Sequence, residues 1–224
     1  RDGYAFSGWF TAAEGGTEVT ANTALPTEDT EYHAHWAGNT IVLTWNTDGG
    51  SAVGNTQQTY ADGAKVTLPT APTKIGYDFA GWFTAQEGGT EVTADTALPT
   101  ESTTYYARWN AAPITGTVTI TGTAKFNETL TAAVSGDNNT GTLSYQWKRG
   151  GEAISGATSE TYTLTQDDIG STITCAITST VQTGSVESTA TSAVAKLDAN
   201  YTRPSAKTGL TYTGSAQELI QKGS

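Results

Sequence analysis

The chain has 224 residues, enough on length alone for one or two domains. Its 22 Asp and Glu against 11 Lys and Arg give a formal charge of −11, a balance that repels phosphate backbones and anionic membrane faces and so excludes nucleic acid as a natural partner. No apolar run approaches the roughly 18 residues needed to span a bilayer, and no charged-then-apolar leader opens the sequence, so a soluble segment without membrane insertion is expected, either processed or starting within a longer protein.

Charged residues make up only 15% of the chain, and Thr, Val, Ile, Tyr and Trp are scattered between Gly-rich turns. That composition favours strands, and the expected class is mainly β (all-β to α+β), arranged as tandem small domains. A single Cys175 can form no internal disulfide. A Cys-poor secreted β-protein points to bacterial export, since animal modules of this size usually carry bridges.

Self-comparison reveals a repeat. Gly3–Trp36 aligns with Gly76–Trp109 at an offset of 73 residues without a gap, and about three quarters of the positions are identical. The second copy follows a further stretch, Asn39 to Ile75, whereas only Arg1 and Asp2 precede the first, so the first unit is expected to lack its opening strands.

Within that stretch, Thr40 to Asn46 alternates with period two and places Ile41, Leu43 and Trp45 on one face. Asp48-Gly49-Gly50 supplies a turn. Thr56 to Tyr60 and Lys65 to Leu68 read as strand, and Pro69 and Pro72 force a crossing loop after them. In Gly76 to Phe83, strict alternation sends Phe79 and Trp82 to opposite faces, but Gly81 suggests a bulge that turns both rings inward. Thr104 to Trp109 alternates again, with Tyr105, Ala107 and Trp109 on one face and Tyr106 and Arg108 on the other.

The pattern Gly76-Tyr77-x-Phe79-x-Gly81-Trp82-Phe83, then Gly88-Gly89-Thr90, then Tyr106-Ala107-x-Trp109 resembles the Listeria–Bacteroides repeat, also called the internalin B-repeat. The resemblance covers Asn39 to Asn110 in full and Arg1 to Trp36 in part. It implies a compact β-grasp-like unit found in tandem on bacterial surface and secreted proteins, and no enzymatic activity.

From Ile114 short strands recur with turn signals every eight to twelve residues or so, which suggests a sandwich. Val118 and Ile120 open it, and Leu130, Ala132 and Val134 alternate. Leu143 to Lys148 follows, then a tight turn at Arg149-Gly150-Gly151-Glu152, then Tyr162, Leu164 and the run Ile173 to Ile177. Tyr145-x-Trp147, Gly156-Ala157-Thr158, Tyr162-x-Leu164 and Asp168-x-Gly170 with Cys175 five positions later resemble a bacterial immunoglobulin-like domain. The resemblance implies that Trp147 is the buried tryptophan of the third strand and that Cys175 occupies the second disulfide position. Its partner is missing, the place falling near Ala132 or Val134, and Ile173 stands where a corner tyrosine is usual. The segment Leu210 to Leu219 looks like the first strands of another surface domain. The expected division is therefore a partial repeat over 1–37, a complete repeat over 38–111, an Ig-like β-sandwich over 112–197 and the start of a further β-domain over 198–224. Linkers at Ala37-Gly38-Asn39, Asn110 to Pro113 and Leu197-Asp198-Ala199 are short, which suits a semi-rigid, monomeric string.

No catalytic, cofactor-binding or metal-ligating residue is expected. His33 and His35 point one way from a strand, but two ligands do not make a metal site, and Tyr106 and Arg108 replace them in the second copy, so an exposed strand face explains them better. Cys175 has no base nearby in sequence and reads as a buried thiol. Asp167-Asp168 and Glu28-Asp29 are adjacent residues that point apart and cannot flank one bond, and Asp168 is expected to cap a turn. Asp137-Asn138-Asn139 reads as a polar hairpin tip before a calcium loop. The Asn127, Asn138 and Asn200 sequons arise easily in a Thr-rich chain. Trp45, Trp82, Trp109 and Trp147 fall on inward faces, and Trp9 and Trp36 repeat two of them, so core packing is favoured over sugar stacking. The functional expectation is a stalk or spacer of an extracellular bacterial cell-surface, cell-wall or secreted protein. The alternative is an adhesive module for a host protein or glycan, which requires a contiguous exposed aromatic or apolar patch.

Overall fold

A computed structural model of the chain describes residues 1–197, 205–211, 214 and 220–221. Every regular element in it apart from one short 3-10 turn is a strand, and no α-helix occurs among the described residues. The chain is all-β, in small tandem sheets. It divides into two compact units: Arg1–Thr115 with Asn138–Thr142 and Ser179–Gly184, and Gly116–Asp137 with Leu143–Thr178 and Ser185–Ser224.

The first unit holds both copies of the repeat. In the first copy β1 (Tyr4–Phe10), β2 (Glu18–Val19) and β3 (His33–Gly38) form a three-stranded sheet in the order β2-β1-β3. The second copy adds β4 (Thr40–Asn46) and β5 (Thr56–Thr59) to the corresponding β6 (Tyr77–Phe83), β7 (Glu91–Val92) and β8 (Thr103–Ala111). The resulting sheet runs β5-β4-β8-β6-β7, with β4 and β8 parallel through Leu43↔Thr103 to Asn46↔Tyr106 and the other pairs antiparallel. Alternation along β4 buries Ile41, Leu43 and Trp45, which pack with Val66, Trp82, Val92, Leu98, Tyr105 and Ala107.

The bulge expected at Gly81 is present. The β6–β8 register shifts between Phe79 and Gly81, and Gly81 has φ +126, a conformation that a Cβ disfavours. The extra residue brings Phe79 and Trp82 onto one face with their rings edge to face at 5.4 Å. β1 carries the same shift between Phe6 and Gly8. The strand expected at Lys65 to Leu68 is not formed. Only a single bridge pairs Lys65 with Ala97, because the bonds of Val66 N to Thr96 O (2.9 Å) and Leu98 N to Ala64 O (2.8 Å) fasten this stretch as a strap, not a ladder.

The second unit contains β9 (Thr117–Thr121), β10 (Thr129–Ser135) and β13 (Thr161–Thr163) in one sheet, ordered β13-β10-β9. A second sheet, β12-β11-β14-β15, comprises β11 (Leu143–Arg149), β12 (Glu152–Ala153), β14 (Ile173–Ser179) and β15 (Val186–Glu187). Val118, Leu130 and Ala132 from the first sheet meet Trp147, Ile173, Cys175 and Ile177 from the second in one core, so the two sheets form a sandwich. Gly150 and Gly151 both have positive φ, the requirement of the two-residue hairpin that joins β11 to β12. Near the C-terminus β16 (Ser205–Ala206) pairs antiparallel with β17 (Ile220–Gln221). Asp198, Ala199 and Asn200, and most of the stretch read as a further domain, lie outside the described residues.

Candidate functional site

The structure assigns packing roles to most of the residues singled out for chemistry. His35 stacks on Phe10 with ring centroids 4.0 Å apart, and its Nε2 lies 2.9 Å from the Ala12 carbonyl. In the second copy Arg108 lies 4.0 Å over the Phe83 ring and donates to the Ala85 carbonyl at 3.2 Å. Two different side chains thus perform one task, a flat cation-capable group laid on an aromatic ring and tied to a turn. His33 and His35 are half-buried, a correction to the exposed face expected for them. Among the described residues no three His, Cys, Asp or Glu side chains converge as a metal would need.

Asp168 holds the polar centre that sequence reasoning undervalued. It is 0% exposed, at the end of the 3-10 turn Gln166–Asp168. Its Oδ1 accepts from Arg149 Nε at 2.7 Å, and its Oδ2 accepts from the Thr165 amide (2.7 Å), the Thr165 hydroxyl (2.9 Å) and the Tyr162 hydroxyl (2.9 Å). Burial pushes its carboxyl up, but the Thr165 amide, the Arg149 guanidinium and the two hydroxyls outweigh it and hold the group below its ordinary value. Asp167 next to it is exposed, as are Glu28 and Asp29, so no two of these carboxylates face a common bond.

Cys175 is fully buried in β14, with its backbone amide bonded to the Ser188 hydroxyl at 3.0 Å. Burial pushes the thiol up to about 11, which removes thiolate at neutral pH. A thiol reagent at pH 8 is therefore expected to leave the folded chain unlabelled and to titrate one thiol once denaturant is added. Labelling at the same rate with and without denaturant would contradict this placement.

The polar tip at 138–142 is tied internally. Asn138 Oδ1 accepts from Thr115 N and its Nδ2 donates to Pro113 O, while Asn139 Oδ1 accepts from Gly141 N and Ser179 Oγ. These bonds anchor the tip to Pro113, Thr115 and Ser179. Gln182 was not foreseen, since a glutamine in a Thr-rich loop carries no periodic signal. It is buried, donates Nε2 to Gly76 O (3.2 Å) and Thr140 Oγ1 (2.8 Å), and accepts at Oε1 from Thr140 N and Ser179 Oγ.

A groove of about 670 Å³ is lined by residues 49–51 and 73–75 with Tyr77 and Thr140, and two smaller grooves lie elsewhere among the described residues. One, of about 420 Å³, is lined by residues 51–54 and 69–72 and has no ionisable side chain. The other, of about 400 Å³, lies beside Arg149 and Tyr162, whose Nε and hydroxyl respectively donate to Asp168.

The tryptophans divide sharply. Trp45, Trp82 and Trp147 are buried and Trp109 is half-buried against the repeat core, as expected. Trp9 and Trp36 are not buried: Trp9 is 51% exposed where Trp82 is 2% exposed. Leu25 is 93% exposed where its counterpart Leu98 is 5% exposed. Trp82 packs against Trp45 of β4 and Leu98 bonds to the strap at 64–66, contacts that Trp9 and Leu25 do not make among the described residues. Yet Phe6 meets Trp9 at 5.7 Å and Trp36 at 5.6 Å, as Phe79 meets Trp82 at 5.4 Å and Trp109 at 5.5 Å, so the aromatic triad is the same in both.

This shared triad and bulge carry the pattern of one family, and the family profile of the Listeria-Bacteroides repeat domain matches residues 1–35 and 42–108. Residues 1–108 carry Listeria-Bacteroides repeats. Internalin H of Listeria monocytogenes serovar 1/2a is 35% identical over 111 residues, which cover 49% of this chain and 20% of that protein. A putative Gly-rich membrane protein of Evansella cellulosilytica is 30% identical over 112 residues, 49% of this chain and 13% of that protein. A putative membrane protein of the same organism is 27% identical over 110 residues, 49% of this chain and 16% of that protein. The chain thus spans a fifth or less of the length of these curated relatives. No solved structure gives a significant match. Repeats of this type occur in bacterial surface proteins such as internalins.

Proposed function

We propose that the chain is a non-catalytic spacer segment of a modular bacterial surface or secreted protein, which supports an adhesive or enzymatic head outside the cell. In this reading residues 1–37 and 38–111 are a partial and a complete repeat, 112–197 is an Ig-like sandwich, and a further domain starts at 198. The observation that carries it is the use to which the repeated residues are put. Positions identical between copies, such as Trp82, Leu98 and Tyr105, supply core, and those that differ on the opposite face, such as Arg108 against His35, brace a turn. Repetition of units that each depend chiefly on their own core lengthens a chain without new chemistry. The sandwich reading draws support from Trp147 and Cys175 meeting in one core between two sheets, with Tyr162 stacked 5.7 Å from Trp147.

One observation favours the adhesive alternative, an exposed aromatic cluster of Phe6, Trp9 and Trp36. Its rings meet at 66° and 70°, however, and so offer no flat platform for a pyranose face. Its counterparts in the second copy are core. A glycan and host-protein binding screen tests the choice. The spacer reading expects no saturable ligand at micromolar concentration. A reproducible ligand whose binding is lost in Trp9→Ala or Trp36→Ala overturns it in favour of adhesion.

A further inference from the structure

Two junctions within the first unit share one plan, although the residues that close them are unrelated. At the first, the Asn39 amide donates to the Gly3 carbonyl at 2.8 Å, and the Asn39 carbonyl accepts from the Tyr60 amide at 2.8 Å. At the second, the Ala112 amide donates to the Gly76 carbonyl at 3.0 Å, and the Ala112 carbonyl accepts from the Thr183 amide at 3.1 Å. Gly76 and Ala112 stand at the offset of 73 from Gly3 and Asn39, so the receiving residues correspond. Tyr60 and Thr183 do not correspond. Tyr60 follows β5 of a repeat, and Thr183 lies in the loop between β14 and β15.

The glycine is the point of contact. Gly3 and Gly76 have φ +76 and +77. A Cβ on Gly3 would overlap the Tyr60 ring, and a Cβ on Gly76 would overlap Gln182 Nε2 and the Asn138 carbonyl. Bare backbone thus lets a flat group settle on it, a phenol ring in one case and a carboxamide in the other. Around the first glycine, Tyr4 meets Tyr60 edge to face at 5.3 Å, and the Tyr4 hydroxyl accepts from the Asp62 amide at 3.0 Å. Around the second, the buried Gln182 donates Nε2 to the Gly76 carbonyl at 3.2 Å. The last residue of the preceding strand separates the two cases. Gly38 ends β3, where a Cβ would overlap the Tyr60 carbonyl, whereas Ala111 ends β8 beside the 182–183 loop.

We propose that the Gly-Tyr corner of each repeat, Gly3-Tyr4 or Gly76-Tyr77, is a docking socket for the stretch that follows it in the chain. Its occupant is a segment that offers one backbone N–H to the linker carbonyl and one flat side chain to the glycine. A further repeat fits through Tyr60 and requires glycine at the strand end, as at Gly38. The 179–184 loop fits through Gln182 and tolerates Ala111. The assignment goes beyond the spacer reading and holds equally for an adhesin.

The test reads amide hydrogen exchange at Asn39 and Ala112 in the full-length chain. Gly3→Ala is expected to speed exchange at Asn39 at least about tenfold and leave Ala112 unchanged, and Gly76→Ala to do the reverse. Gly156→Ala should change neither amide, since Gly156 also has positive φ (+75) but no heavy atom within 4 Å of a Cβ. A second arm inserts an extra copy of residues 39–111 after Ala111, which sets a Tyr60 against the Gly76 socket. The inserted Asn39, marked by Trp109 and Asn110 ahead of it, should exchange within about threefold of the native Asn39 when the preceding residue is changed by Ala111→Gly. With Ala111 kept, its exchange should be at least about tenfold faster. Four results overturn the assignment: linker amides unchanged in both glycine variants, both amides lost together in either, the same loss in Gly156→Ala, or an inserted Asn39 whose exchange ignores Ala111→Gly.

Discussion

Trp82→Ala is expected to destabilise the second repeat by about 3–5 kcal/mol, while Trp9→Ala at the equivalent position costs less than about 1 kcal/mol. The two residues share a motif, a strand and an aromatic partner, so local propensity predicts the same cost for both. Burial predicts otherwise. Trp82 sits under Trp45 and inside a cluster with Val92, Leu98 and Ala107, and its removal leaves a cavity that a strapped sheet collapses into only partly. Trp9 keeps its edge contact with Phe6 but faces solvent on the side where β4 would lie. Denaturant unfolding of each variant, followed by signals assigned to the 38–111 segment, checks the difference. Equal costs would mean that the first copy has a cover of its own.

The second large effect is expected at Asp168. Replacing it with Ala removes a fully buried acceptor shared by four donors, while the partly exposed Arg149 guanidinium stays in reach of water, and the lost charge-assisted hydrogen bonds are expected to cost about 3 kcal/mol. At about 4–8 °C per kcal/mol for a domain of 60–100 residues, the melting temperature of the sandwich should fall by roughly 12 °C or more. The sign with pH follows from the lowered carboxyl. A group whose folded value lies below its unfolded value of about 4 stabilises fully above that pH, and the contribution is lost as pH falls through the folded value. The native sandwich should therefore lose stability on acidification below about pH 4, and Asp168→Asn should flatten that limb. Calorimetry of both proteins from pH 2 to 7 reads it directly. An acid limb unchanged in Asp168→Asn would assign the loss to other carboxylates.

What could be read from the sequence was local. Alternation placed Ile41, Leu43 and Trp45 inward because side chains on a strand switch faces at each residue. The odd spacing of Phe79 and Trp82 around Gly81 implied a bulge, and the ladder has one there. Trp147 was expected inside through the resemblance to an immunoglobulin-like domain and Cys175 as a buried thiol, and both are fully buried. What could not be read was tertiary. Gly3–Trp36 and Gly76–Trp109 share about three quarters of their residues, but the strand and strap that bury Trp82 and Leu98 come from a different stretch of chain. Lys65 to Leu68 has strand composition, but its neighbours fasten it at a few bonds and leave no ladder. Asp168 signalled a turn in the sequence. Its ion pair with Arg149 spans 19 residues, from the end of β11 to the 3-10 turn, beyond the reach of any short pattern.

The central claim is that the residues identical between the two copies are spent on packing, as Trp82, Leu98 and Tyr105 are where β4 and the strap at 64–66 lie over them. Amide hydrogen exchange on the native chain compares them most directly, position against position. The account predicts stronger protection along Thr103 to Tyr106, which pair with β4, than along Thr30 to His33, which have no such partner strand among the described residues. Equal protection in the two segments would contradict it.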